Sequence, residues 1–366
     1  MAETREVFEM ATKEMKPDQS SWSDQQTRQR RRARNRRIGT YAVVAVVLLA
    51  VGAFGLRQML GNSTPISENT GAPSVSTSTP VVGVTQPVIV GLDGSVQQLH
   101  GIPVDAQFLN ISPDGRQIVF VAEQDGSPQV GAVGIDGSGP RFITHVAPVS
   151  IGQDSERGPL TPAWSPDGSR IAFSNGHIYV VNADGSGLTQ LTFGTSVDQW
   201  PSWSPDGSTI AYSNSGSTPL DNNTDSITLE IWTVPASGGT PTRLTHLGGS
   251  DMPAYSPDGS QIAFTYQGGI FLMDANGQNV HLLKGLSPGN AYAPRWSPDG
   301  KSLAYVQFSG TYSHDPAMKD GPLQRASVVN LATGVIQRIP GKVVEAFNTV
   351  QWLPTGDALL QNRYTG

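Results

Sequence analysis

From about residue 87 to the C-terminus, short apolar–polar alternations are broken by turn residues, as in "HIYVVNADGSGLTQLT" at 177–192 and "GIFLMDANGQNVHLL" at 269–283. Side chains of a strand point to opposite faces with period two, so these runs predict half-buried β-strands that turn at Asp-Gly or Asn-Gly. A second hairpin precedes each of them. Its turn is Ser-Pro-Asp-Gly, with an apolar residue in front and an apolar trio such as Ile210-Ala211-Tyr212 behind. Proline presets φ, aspartate accepts from nearby backbone N–H groups, and glycine takes the positive φ that closes the turn. Two hairpins per unit predict four antiparallel strands.

Ser-Pro-Asp-Gly stands at 112–115, 165–168, 204–207, 256–259 and 297–300, and a worn sixth copy reads "WLPTGDALL" from Trp352. Unit starts are 53, 39, 52, 41 and 56 residues apart, which fits a propeller blade. Blades arranged radially cover one another's faces. Only two strands, "FNTVQWLPTGDALLQNRY", follow the sixth copy, and an unpaired hairpin, "PVIVGLDGSVQQLH" at 87–100, precedes the first. Joined, they predict an all-β, six-bladed β-propeller over 87–366, with its last blade closed by both chain ends.

The phrase P-x-W-S-P-D-G-x-x-I-A-F, carried by "PAWSPDGSRIAF" from Pro162 and "PSWSPDGSTIAY" from Pro201, resembles the TolB-type, or WD40-like, propeller repeat. That repeat occurs in periplasmic TolB and in the propeller domains of the prolyl oligopeptidase and dipeptidyl peptidase families. The resemblance covers roughly residues 86–366. It implies envelope protein interactions and brings no active site, since the peptidases carry catalysis on a separate domain.

The front of the chain follows a different pattern. "IGTYAVVAVVLLAVGAFGL" at 38–56 is free of charge, long enough as a helix to cross a bilayer, and is expected to form one N-terminal transmembrane helix over 38–57. Seven arginines lie between Arg28 and Arg37, against Arg57 alone just after the span. The positive-inside rule then makes 1–37 a cytoplasmic basic tail and places the propeller outside the cell membrane. A cleaved signal peptide is the rival reading, disfavoured by the long lead and the missing small-x-small site. Residues 58–86, rich in Ser, Thr, Pro and Gly, read as a flexible linker. "TREVFEMATKEM" at 4–15 spaces Val7, Ala11 and Met15 by four, so it reads either as a disordered tail or as a helix for a cytoplasmic partner.

Charge and composition then remove several classes. Residues 1–57 hold 11 basic and 6 acidic side chains, leaving 13 and 24, a balance of −11, for the remainder. An acidic ectodomain argues against nucleic acid as its partner. The chain has no cysteine, hence no disulfide, thiolate metal site or cysteine nucleophile. The histidines at 100, 145, 177, 246, 281 and 314 lack metal-ligand spacing, and "GLSPG" at 285–289 lies between blades rather than on a strand-turn-helix. Catalytic residues, metal and cofactor are all expected to be none.

The long insertions at 147–160, 215–228 and 309–324 fall on the face opposite the Ser-Pro-Asp-Gly turns. Residues beginning each blade near the axis open on that face too: Asp198, Gln199, Trp200, His246, Asp251, Asn290, Tyr292 and Asn348. They are candidates for an aromatic and acidic funnel that binds an envelope protein or peptide. Against this, Trp200 and Tyr292 could pack between blades, and Asp198 and Asp251 could cap backbone groups. Trp164, Trp203, Tyr255, Trp296 and Trp352, each just before its turn, are assigned to core packing. The leading expectation is therefore a membrane-anchored, non-catalytic binding module. A ligand- or glycan-sensing receptor that signals through its tail, and a propeller-type hydrolase, are the alternatives.

Overall fold

The computed structural model describes residues 84–365 except 104–105, 148, 151–155, 158–159, 218–226, 288, 290, 310–322 and 341–349. Residues 1–37, the expected span 38–57 and most of the expected linker lie outside the described residues; no described helix is long and apolar enough to cross a membrane. The first strand begins at Val84, three residues ahead of the expected domain start.

The described residues form six four-stranded antiparallel sheets and one small hairpin. Blade 1 contains β3 (Gln107–Ile111), β4 (Gln117–Gln124), β5 (Ser127–Gly134) and β6 (Arg141–Phe142), and blade 2 contains β9 (Leu160–Trp164), β10 (Arg170–Asn175), β11 (His177–Asn182) and β12 (Thr189–Gln190). Blades 3, 4 and 5 repeat this order from Val197, Asp251 and Ala291, at the starts of β13, β17 and β21. The sixth sheet pairs β1 (Val84–Gly91) and β2 (Val96–Gln98) with β25 (Gln351–Trp352) and β26 (Ala358–Thr365) in the order β2-β1-β26-β25. Eight residue pairs, Val84↔Thr365 to Gly91↔Ala358, join the two ends of the chain. Within the 147–160 insertion, β7 (Val149–Ser150) pairs with β8 (Glu156–Arg157).

Among the described residues the core has six clusters, one at each blade–blade boundary, and a small seventh on the axis. Period two explains the division: Val88 and Val90 of β1 face blade 5, whereas Ile89 faces blade 1. The same alternation puts Leu359 with blade 5 and Leu360 with blade 1. Between blades 2 and 3, Trp203, Ile210 and Tyr212 meet Ala172, Ile178 and Leu191.

The turns make a second ring. In blade 3 the Ser204 hydroxyl donates to Asp206 (2.6 Å) and accepts from the backbone N–H of Thr209 (3.0 Å), while Asp206 accepts from the N–H of Ser208 (3.0 Å). Gly207 sits at φ +69°. A methyl group placed on it would lie 3.8 Å from the Pro166 ring of the preceding blade. The same glycine-on-proline contact joins Gly168 to Pro113, Gly259 to Pro205, Gly300 to Pro257, Gly356 to Pro298 and Gly115 to Pro354, which closes the circle. Gly207→Ala is expected to destabilise by about 1–2 kcal/mol, because an L side chain at positive φ is strained while the added methyl still fits. Urea denaturation would show this as a lower midpoint at unchanged slope.

A third device ties the outer strands. Thr144, Thr192 and Thr245 each follow a short fourth strand, and each hydroxyl accepts a backbone N–H of the third strand, from Val130, Ile178 and Ile231, at 2.9 Å. The same hydroxyls donate to the buried side chains of Gln129, Asp198 and Glu230.

Candidate functional site

The first strand of blades 1 to 5 carries a bulge, seen as a register shift. At the bulge a non-glycine residue takes positive φ: Phe108 (52°), Thr161 (49°), Trp200 (58°), Met252 (55°) and Ala293 (55°). All five stand four residues before the turn serine. The N–H turned out of the ladder is taken up by a hydroxyl of the preceding blade. Trp200 donates to Thr161 (3.3 Å), Met252 to Ser213 (3.0 Å) and Ala293 to Thr265 (3.2 Å). Bulges re-aim side chains, and here they meet on the axis. Trp200, Met252 and Ala293 form one buried cluster with Phe108 against it, and the Phe108 and Trp200 rings meet edge-on at 5.9 Å. Phe108 of blade 1 packs against a cluster that includes Met252 of blade 4, across the ring, so the four residues together make a floor.

Above the floor, on the side of the Ser-Pro-Asp-Gly turns, lies a cavity of about 330 Å³. Its wall takes one residue from every blade, always two before the turn serine or its equivalent: Asn110, Ala163, Ser202, Ala254, Arg295 and Gln351. Trp164, Trp203, Tyr255, Trp296 and Trp352 also line it, and the turn prolines Pro166, Pro205, Pro257 and Pro298 form its rim. The aromatics thus do more than the core packing expected of them. Each packs against the preceding blade. The indole N–H groups of Trp203, Trp296 and Trp352 donate to the carbonyls of Ala163 (3.1 Å), Ala254 (3.0 Å) and Arg295 (3.0 Å), locking the rings in the wall.

Among the described lining residues only Tyr255 and Arg295 titrate. Burial pushes the Tyr255 hydroxyl up to about 12, with a small contribution from Asp206, and burial pulls Arg295 down to about 10. Both therefore hold their protons at neutral pH, leaving one cation in an otherwise uncharged lining.

Of the residues expected from the sequence to form a funnel, Trp200 is the one that lines this cavity among the described residues. Trp200 enters the floor. Asp198 is 2% exposed and turned into the blade, where it accepts from Thr192 (2.5 Å) and Asn214 (2.7 Å) and lies 3.3 Å from His177 Nδ1. The Asp251 carboxylate accepts the N–H of Met252 (2.8 Å) and a hydrogen bond from Ser213. Gln199 and Tyr292 are half-buried and His246 is exposed, whereas Asn290 and Asn348 lie outside the described residues. Among the described residues no cluster of three metal-ligating side chains occurs.

The turns and the buried acids respond oppositely to acid. Asp167 and Asp206 are held at about 2, foremost by the serine hydroxyl opening the same turn, and Asp114, Asp258 and Asp299 are lowered in the same way. Asp198 and Asp251 are raised, foremost by desolvation. A lowered carboxylate stabilises fully above its unfolded value of about 3.8 and loses that contribution as pH falls through the folded value. A raised one favours the folded state as it takes up its proton. Melting temperature is expected to hold or rise slightly on mild acidification and then fall from about pH 4 towards pH 2. Asp198→Asn should remove part of the rise, as calorimetry across pH would show.

Comparison with known proteins agrees with this geometry. A 151-residue stretch is 39% identical to a protein TolB homolog of Chlorobium chlorochromatii (strain CaD3) and covers 41% of this chain and 31% of that protein. A solved structure assigned as TolB from Agrobacterium tumefaciens superposes with a TM-score of 0.58 at 23% identity, over 78% of this chain and 99% of that one. The domain has the β-propeller fold of that structure. TolB from Acinetobacter baumannii superposes with a TM-score of 0.52 at 20% identity, over 73% of this chain and 66% of its own. At these identities the two structures establish the fold alone. The TolB-like segment matches under a third of the Chlorobium relative's length. No protein-family profile matches the chain.

Proposed function

We propose that this chain is a single-pass, membrane-anchored protein whose extracytoplasmic propeller binds a protein or peptide of the cell envelope without catalysing a reaction on it. The observation that carries this reading is the floored well on the turn face. It is concave, walled by aromatics and prolines, and carries polar groups such as Asn110, Ser202, Arg295 and Gln351 between them, as binding sites for a projecting segment do. Its described lining contains no carboxylate or imidazole to serve as a general acid or base. The relatives named TolB support an envelope protein as the partner, and the charge-free stretch at 38–57 behind seven arginines supports the anchor.

The test is in-cell crosslinking of the full chain beside a variant with the well filled, Ser202→Trp, and one altered on the opposite rim, Gln199→Arg with His246→Glu. A partner lost only from the filled well supports this site. Loss only from the rim variant moves binding to the opposite face, where the sequence placed it. A partner retained by all three overturns both sites. Topology is read separately: the chain lacks cysteine, so single cysteines at Ser20 and exposed Thr189 report sidedness directly. An impermeant maleimide should label only Thr189→Cys in intact cells.

A further inference from the structure

Six equivalent wall positions face the well, and five of them carry neutral side chains: Asn110, Ala163, Ser202, Ala254 and Gln351. The sixth is Arg295. Its guanidinium has five N–H donors in a planar fork, and among the described residues it donates only to the carbonyl of Pro294, its own neighbour, at 2.8 Å. The ion pairs of the described residues are Arg243–Glu230 and Lys301–Asp299, and the contact of His177 with Asp198 is one only when the imidazole is protonated; none involves Arg295. The residue is half-buried, and desolvation lowers its pKa. A half-buried cation with no counter-ion among the described residues is partly desolvated without compensation, and packing alone would be served as well by the alanine that blades 2 and 4 place there. A ligand that supplies the missing anion accounts for the arginine.

We propose that Arg295 is the anchor for a carboxylate on the protein segment that enters the well. This rests on the reading of the propeller as a peptide-binding module and names the chemistry that it recognises. The planar fork matches a carboxylate through two parallel hydrogen bonds, and the amides of Asn110 and Gln351 and the hydroxyl of Ser202 provide neutral polar groups on the same wall. The chain beyond Arg57 carries a balance of −11, so a polyacidic segment is repelled on approach. A single carboxylate flanked by apolar residues fits both the one cation and the aromatic wall. It comes either from a C-terminus or from an Asp or Glu side chain.

The experiment selects peptides on the full chain in detergent micelles from two random decapeptide libraries, one with free C-termini and one amidated, in parallel on wild type, Arg295→Gln and Arg295→Lys. Wild type should enrich peptides sharing one carboxylate at a fixed place. A terminal carboxylate appears only in the first library, whereas a side-chain carboxylate appears as a fixed Asp or Glu in both. Enriched peptides should bind Arg295→Gln at least tenfold more weakly, with partial recovery in Arg295→Lys. Replacing the shared carboxylate by its amide should weaken wild type by a similar factor and leave Arg295→Gln unchanged. Arg295→Gln should melt no lower than wild type, which separates loss of binding from loss of fold. Peptides enriched without a shared carboxylate, or bound equally by Arg295→Gln, would overturn the anchor and leave peptide binding standing. If nothing enriches on wild type, the peptide-binding reading fails and the anchor with it.

Discussion

Trp203→Ala should lower the stability of the propeller by about 3–5 kcal/mol. Trp203 is 7% exposed and sits at the boundary between blades 2 and 3, packed with Ile178, Leu191 and Tyr212. Its indole N–H holds the Ala163 carbonyl at 3.1 Å, and the Arg170 guanidinium lies 4.8 Å from the ring centroid. Truncation leaves a void that close-packed strands collapse into only in part, and it leaves that carbonyl without its donor. It also removes one side of the well, so binding and stability should fall together. For a domain of this size the loss corresponds to a drop of about 10 °C in melting temperature. Trp203→Phe keeps most of the ring and should cost less than half as much. A drop under about 2 °C for the alanine variant in calorimetry would mean that the inter-blade contact contributes little.

The second large effect lies away from the well. Glu230 is 4% exposed, and its carboxylate accepts from Arg243 Nη2 (2.9 Å), from the Thr245 hydroxyl and from the backbone N–H groups of Leu247 (3.2 Å) and Gly248 (2.9 Å). Glu230→Ala leaves four donors facing one another, one of them charged, and should destabilise by about 3–5 kcal/mol. Blade 1 solves the same problem with Gln129, whose side-chain oxygen accepts from Thr144 (2.9 Å) and from the N–H of Val146 (3.0 Å) and whose amide donates to the Val146 carbonyl (2.8 Å). Glu230→Gln should therefore be the milder change. Its amide meets the Arg243 charge without neutralising it, however, so it still costs more than a surface substitution. Chemical denaturation of the three proteins should rank wild type, Gln and Ala in that order. An alanine variant as stable as wild type would show that water replaces the carboxylate.

How far the funnel residues could be read from sequence depends on what each side chain does locally. Asp198 and Asp251 were legible as polar groups at the start of inner strands, and the possibility that they cap backbone groups was visible beside the functional one. Sequence did not specify where Asp198 would find its partners: Asn214 lies on the adjacent strand, and Thr192 and His177 belong to the blade before. The well itself left a trace. Within "PAWS", "PSWS", "PAYS" and "PRWS" the second letter varies between Ala, Ser and Arg, while a proline precedes it and an aromatic follows it in each of the four. That position becomes the wall, and a variable site inside a repeated frame is where one blade can differ chemically from the next.

The sequence by itself determined the strands, the turn chemistry, the number of blades and the closure of the last one. These follow from period-two alternation and from residues with fixed backbone preferences, both of which act over a few neighbours. Tertiary structure decided which end of the ring holds the well and what floors it. Bulges at five non-glycine positions bring Phe108, Trp200, Met252 and Ala293 together on the axis, and no rule of local preference assigns positive φ to a tryptophan or a methionine. It also decided that Arg295 meets no carboxylate among the described residues. Whether a charge has a partner depends on residues from every blade around the axis, and only closing the ring brings those residues within reach of one another.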